Sequence, residues 1–202
     1  MPLWLASQPL VLASRSPARR AMLEAAGIPV DLAVVDVDER AVEARARPAS
    51  GGEAASVLAS EKAMAGSARY PGRAVVGADQ TLVLGSRPFA KPENRAGAKD
   101  QLRALSGRCH ELHSAVAVVR DKHILFNHLD SAQLTMRALS EEFIDRYLDE
   151  IGPRAMSSVG AYQLEGLGSQ LFDKVAGDYF TILGLPLLPL LAFLRRERFL
   201  AA

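Results

Sequence analysis

Apolar and polar positions alternate in short blocks along the first half of the chain. Residues 9–13, P-L-V-L-A, form an unbroken apolar run of the kind that makes a buried strand. Ser16-Pro17 follows at once as a helix start, with the hydroxyl as N-cap and proline at the first helical position. Met22, Leu23 and Ala26 then give a helical stripe that stops at Gly27. Residues 32–37 predict a second strand, ending in the acidic turn Asp36-Val37-Asp38-Glu39. Residues 44–52, A-R-A-R-P-A-S-G-G, are the most loop-like stretch and predict a mobile connection.

An Ala-rich helix is predicted over residues 53–68, with Lys62 in its second half, then a buried strand over 74–78 that terminates in Asp79-Gln80. Residues 81–84 continue extended, and 93–105 read as a helix closed by Gly107. Two long extended stretches, 111–119 and 124–136, flank Arg120-Asp121-Lys122 and predict a hairpin. Ser140 caps a helix through Glu150, with Glu141 and Glu142 against the positive end of its dipole. Residues 157–177 carry four glycines and read as loop with short extended pieces, and Gly184-Leu185-Pro186 opens a last helix through Arg196. Alternation followed by a hairpin gives an α/β fold, a mixed twisted sheet with helices packed on it. No repeat is present, and residues 1–202 are expected to form a single domain.

Composition narrows the function classes. With 24 Lys+Arg against 23 Asp+Glu the net charge is +1, and aromatic residues make up 6%. Neither a basic track nor a stacking platform for nucleic acid is available, so anion binding must come from a local cluster. Cys109 is the one cysteine, which excludes an internal disulfide and points to a reducing compartment. The opening residues lack a basic region ahead of their apolar run, and residues 183–194 are short and broken by Pro186 and Pro189. A membrane span needs roughly 20 apolar residues. A soluble, cytoplasmic protein is expected.

The strand-to-helix turn S-R-S-P-A-R-R gathers the hydroxyls of Ser14 and Ser16 with the guanidinium groups of Arg15, Arg19 and Arg20. Free N–H groups and the positive dipole end make a helix start suited to phosphate. Three cations there repel one another unless an anion arrives. Asp79, at the end of an apolar strand, can hold a divalent metal, serve as general base for water, or simply cap a turn. Gln80 beside it can orient water or a base edge. Lys62, Lys91 in F-A-K-P and the acidic turn at Asp36, Asp38 and Glu39 are weaker candidates, each also readable as solvated surface. The four histidines show no zinc spacing, and the P-loop, dinucleotide and nucleophile-elbow motifs are all missing.

Taken in order, L-V-L-A-S-R-S-P-A-R-R, D-V-D-E, the E-K-A of Lys62, V-V-G-A-D-Q, the A-K-P of Lys91, S-G-R-C-H-E-L-H-S, G-A-Y-Q-L-E-G and G-L-P-L span nearly the whole chain. In this ordered set the chain resembles the Maf (septum-formation) family of nucleoside triphosphate pyrophosphatases. The resemblance implies a cytoplasmic α/β enzyme with two lobes around a central cleft, often a homodimer, dependent on Mg²⁺, Mn²⁺ or Co²⁺. Such an enzyme hydrolyses the α–β phosphoanhydride of a nucleoside triphosphate to monophosphate and pyrophosphate. By that resemblance Ser14, Arg15, Ser16 and Arg19 cradle phosphates with help from Lys62 and Lys91. Asp79 is proton acceptor or metal ligand, and Glu39 assists at the metal. The family is also linked with arrest of cell division.

Ala18 interrupts the usual S-P-R-R, Gln80 replaces the threonine of the branch acting on pyrimidine triphosphates, and Glu165 stands where that branch has glutamine. These departures resemble the branch acting on 7-methyl-GTP, since a carboxylate at Glu165 accepts from the N1–H and 2-amino edge of guanine. Rival readings are a non-catalytic nucleotide or nucleic-acid binding regulator of division and a phosphomonoesterase using the same arginines.

Overall fold

The computed structural model describes residues 3–202. Met1 and Pro2 lie outside the described residues. Among the described residues seven strands form one mixed sheet flanked by helices. β1 (Leu10–Ala13) pairs in parallel with β2 (Val30–Leu32) on one side and with β3 (Val75–Leu84) on the other. Beyond β3 come β5 (Cys109–Arg120), β6 (His123–Met136) and β7 (Phe172–Ala176), while β4 (Arg87–Phe89) pairs antiparallel with the far end of β3. Asp121 and Lys122 both take positive φ, 49° and 65°, the two-residue turn that matches strand twist in a hairpin.

The helices are α1 (Pro17–Ala25), α2 (Glu39–Ala46), α3 (Gly51–Arg69), α4 (Arg95–Leu105), α5 (Glu141–Ile151), the single turn α6 (Tyr179–Ile182) and α7 (Leu187–Arg196). Side-chain caps from Ser16, Asp38, Ser50, Asn94, Ser140 and Asp178 open six of them by accepting a backbone N–H of the first turn. None of the helices among the described residues is long and apolar enough to cross a membrane.

Three readings of the sequence need correction. The second strand lies at Val30–Leu32, earlier and shorter than 32–37. The loop expected over 44–52 is mostly helix: α2 runs to Ala46, Arg47 closes it in the left-handed conformation, and Ser50 caps α3. α2 is hard to see in sequence because it is polar and buries only Val42. Asp79 does not end a strand, because β3 continues through it to Leu84.

The chain divides into two compact units, with β3, β5 and β6 passing from one into the other. The first takes the residues up to Gln80, His113–Asp130 and Gly184–Ala202. Its core seats α3 on the sheet through Ala55, Ala59 and Ala63, spaced one turn apart, against Ala115, Ala117 and Val119. The second, Thr81–Leu112 and Ser131–Leu183, is built around Leu82, Leu102, Leu105, Leu134, Met136 and Ile144.

On the second unit's surface Arg95, Lys99 and Arg103 of α4 meet Asp149, Asp145 and Glu141 of α5, each pair at 2.6 Å. Inside it His110 is 1% exposed, with Nε2 2.8 Å from the Tyr162 hydroxyl and Nδ1 buried without a partner. Burial lowers the His110 pKa to about 4 and raises that of Tyr162.

Candidate active site

β1 stops at Ala13 and α1 starts at Pro17, so Ser14, Arg15 and Ser16 make the turn between them. The parallel register pairs Ala13 with Gly77. Asp79 is therefore in the middle of its own strand but past the end of the neighbouring one. That is the carboxyl end of the parallel pair, where ligands of α/β sheets bind.

The turn is held by its own hydroxyls. Ser14 Oγ accepts from the Ser16 N–H at 3.3 Å and from Arg19 Nη1 at 3.1 Å, and Ser16 Oγ caps the Arg19 N–H at 3.4 Å. The Arg19 side chain is turned inward. Its Nε donates to the Gly184 carbonyl at 2.7 Å and its Nη1 to the Ala78 carbonyl at 2.8 Å. Burial pushes the Arg19 pKa down, and the charges of Asp79 and Glu39 pull it back up. Gly184 takes φ +97°, a region other residues rarely adopt, and so offers its carbonyl to Arg19 from the connection before α7.

The crowding of three arginines is relieved without an outside anion for two of them. Arg19 binds carbonyls, and Arg20 pairs with Glu24 at 2.7 Å. Arg15 is exposed and makes no ion pair among the described residues.

Lys62 reaches the site from α3. Its Nζ lies 2.5 Å from Asp79 Oδ1 and 2.6 Å from Glu39 Oε1. Asp79 is buried, whereas the Glu39 side chain is half open to solvent. What brings Lys62 there is the contact between α3 and β3 at Gly77. A Cβ at that glycine would lie 2.2 Å from the Ala59 carbonyl oxygen and 2.5 Å from the Ala63 nitrogen. Helix and strand backbones touch, and Lys62, beside Ala63, is delivered to Asp79, two residues beyond Gly77. The sequence reading missed Gly77 as a positioning residue; its signal was a glycine within an apolar strand facing a stripe of alanines.

Glu39 and Asp79 thus converge on one cation. Among the described residues no cluster of three His, Cys, Asp or Glu side chains forms a protein-only metal cage. Two convergent carboxylates fit the manner in which a hard divalent ion is held by one or two protein oxygens together with substrate phosphates. Gln80 donates from Nε2 to the buried Ser114 hydroxyl at 2.9 Å.

The structure therefore joins Ser14, Ser16, Arg19, Glu39, Lys62 and Asp79 through contacts within the first unit, with Arg15 and Gln80 adjacent in the chain. Lys91, on the connection before α4, and Glu165, between two 3-10 turns, are exposed residues of the second unit and take no part in these contacts.

Comparison with known proteins gives the family. A family model described as Maf-like protein matches residues 9–197. A protein of Rhodopseudomonas palustris named nucleoside triphosphate pyrophosphatase is 56% identical over 201 residues, covering 100% of each chain. One of Bradyrhizobium diazoefficiens with the same name is 52% identical over 201 residues, again covering 100% of each. A Rhizobium etli protein named 7-methyl-GTP pyrophosphatase is 54% identical over 188 residues, 92% of this chain and 94% of its own. A match of that length and identity admits one assignment: the chain belongs to the Maf family.

Proposed function

We propose that this protein hydrolyses the α–β phosphoanhydride of a nucleoside triphosphate, releasing the monophosphate and pyrophosphate. The observation that carries the reading is the convergence of Lys62, Asp79 and Glu39 beside the serine-lined start of α1. A triphosphate brings about four negative charges, which need clustered donors and cations. Arg15 and the N–H groups at the start of α1 receive phosphate oxygens, while Ser14 and Arg19 hold the turn in shape. Lys62 offsets charge on the phosphates. The Asp79 carboxylate takes a proton from the water that attacks the α-phosphorus, and the bond to the bridging oxygen of pyrophosphate breaks. Glu39 and Asp79 are the residues that would hold Mg²⁺, Mn²⁺ or Co²⁺, which when bound withdraws charge from the phosphate oxygens.

For the base we infer a guanine, with 7-methyl-GTP the preferred substrate. Glu165 supports this as an acceptor for the N1–H and 2-amino edge, and the name of the Rhizobium etli relative agrees with it. The whole chain is read as one functional domain, cytoplasmic and homodimeric, with Lys91 a further phosphate ligand.

The test is a product assay over dTTP, UTP, CTP, GTP and 7-methyl-GTP with each of the three metals. Pyrophosphate as product and 7-methyl-GTP as the fastest substrate are expected; orthophosphate would mark a phosphomonoesterase, and UTP outrunning 7-methyl-GTP would end the guanine reading. Asp79→Asn should lower kcat by about 10²–10⁴-fold while still binding nucleotide. No turnover by the wild-type protein would favour a binding regulator instead.

A further inference from the structure

At the other end of the first unit's parallel strands, the chain termini are clipped together. Trp4 forms an antiparallel bridge with Leu200, and the Leu5 N–H donates to the Phe199 carbonyl at 2.8 Å. Beside this clip lies a cavity of about 360 Å³ bordered by Trp4, Pro9, Pro71, Arg73, Arg120 and Phe199. Its size is at the lower end of small-molecule sites.

The wall combines flat apolar surface with the unpaired positive charge of Arg120. The Trp4 and Phe199 rings stand 6.0 Å apart. The Arg120 guanidinium lies 5.5 Å from the centre of the Phe199 ring and has no ion pair among the described residues. Arg73 donates from Nη2 to the Pro9 carbonyl at 2.7 Å and to Asp31 at 2.6 Å, so its charge is already paired. Among the described residues no carboxylate lines the cavity. Asp31 is engaged by Arg73, and Asp121 accepts from the Gly72 N–H at 2.6 Å. A guanidinium fork favours phosphate or carboxylate oxygens, and aromatic faces favour a flat ring.

We propose that this cavity is a second binding site, separate from the residues around Asp79, for a phosphate monoester that carries one flat ring. The ring packs against Trp4 and Phe199, and the phosphate is held by Arg120.

Trp4 is the single tryptophan of the chain, so its fluorescence reads this cavity directly. The test titrates phenyl phosphate and uridine 5′-monophosphate into the full-length protein, with inorganic phosphate and uridine as controls. Saturable quenching by the two monoesters, and by each control at least tenfold more weakly, is expected. In Arg120→Gln binding should weaken at least tenfold, with partial recovery in Arg120→Lys, while Ser14→Ala should leave the quenching intact. Equal quenching in wild type and a folded Arg120→Gln protein, no saturable quenching at all, or loss of the signal in Ser14→Ala would overturn the proposal. The readout needs no turnover, so its failure is distinct from failure of the pyrophosphatase reading.

Discussion

Between Gly77 of β3 and Ala59 of α3 there is no room for a side-chain carbon: a Cβ on residue 77 would sit 2.2 Å from the Ala59 carbonyl oxygen. Both atoms belong to, or grow directly from, backbone in regular structure, so neither can swing aside. Gly77→Ala must push α3 off the sheet and carry Lys62 away from Asp79. A stability loss of about 1–3 kcal/mol is expected from the overpacking. Thermal unfolding would show the drop, and kcat/KM measured well below the new Tm should also fall; full activity in the folded variant would separate the helix seat from the site.

Lys62 is the cation that two carboxylates share. In Lys62→Met, Asp79 and Glu39 face each other without it, and Asp79 is buried. About 1–3 kcal/mol of destabilisation is expected, below the cost for a fully buried pair because Glu39 is half solvated. Nucleotide affinity should fall too, whereas Lys62→Arg should keep much of the stability. Unfolding midpoints together with nucleotide titration check both halves.

Arg19 serves three acceptors on three segments, Ser14, Ala78 and Gly184. A lysine presents one ammonium and cannot span them. Arg19→Lys should therefore loosen the turn and the connection before α7 together, lowering kcat/KM by roughly 10–100-fold through orientation of the bound phosphates. Steady-state kinetics at saturating metal would reveal it; wild-type kinetics in Arg19→Lys would mean that charge alone matters.

His110 makes the fold acid-sensitive. Its pKa is lowered by burial to about 4 from an ordinary 6.5, so the unfolded chain takes up the proton first as pH falls. Stability from this group is complete above about pH 6.5 and declines toward pH 4, by about 3 kcal/mol in all. Urea midpoints across that window should show the decline. In the double variant His110→Phe, Tyr162→Phe the acid limb should flatten, because both partners of the buried pair leave together.

The ladder between α4 and α5 responds to acid and to salt differently. Hydrogen bonding to Arg103, then to Lys99, holds the Glu141 pKa down to about 2 from 4.5, and Asp145 is lowered by Lys99. Such depressed carboxylates contribute fully above pH 4.5 and lose their contribution as pH drops toward 2. The groups are solvent-exposed, so 1 M NaCl should remove most of the effect at neutral pH. Comparing Glu141→Gln with wild type by thermal melting, the difference should shrink in high salt and again at low pH.

Local signals in the sequence determined the caps at Ser16 and Ser140, the β1–α1 turn, the Ala-rich helix and the hairpin. Each depends on residues a few positions apart: a hydroxyl ahead of a free N–H, an apolar run, two residues that can turn a chain. The ordered motifs determined the family in the same way. Contacts across long stretches of chain were decided only by the tertiary structure. Sequence placed Arg19 among three repelling cations, but folding turns it onto two carbonyls, one of them 165 positions away. Asp79 looked like a strand end and is instead mid-strand, exposed to chemistry because its neighbour β1 stops first. Lys62, Glu39 and Asp79 carry no shared spacing that a pattern could reveal. Side chains meet where backbone packing brings their stems, and here that packing hangs on the absence of one Cβ at Gly77.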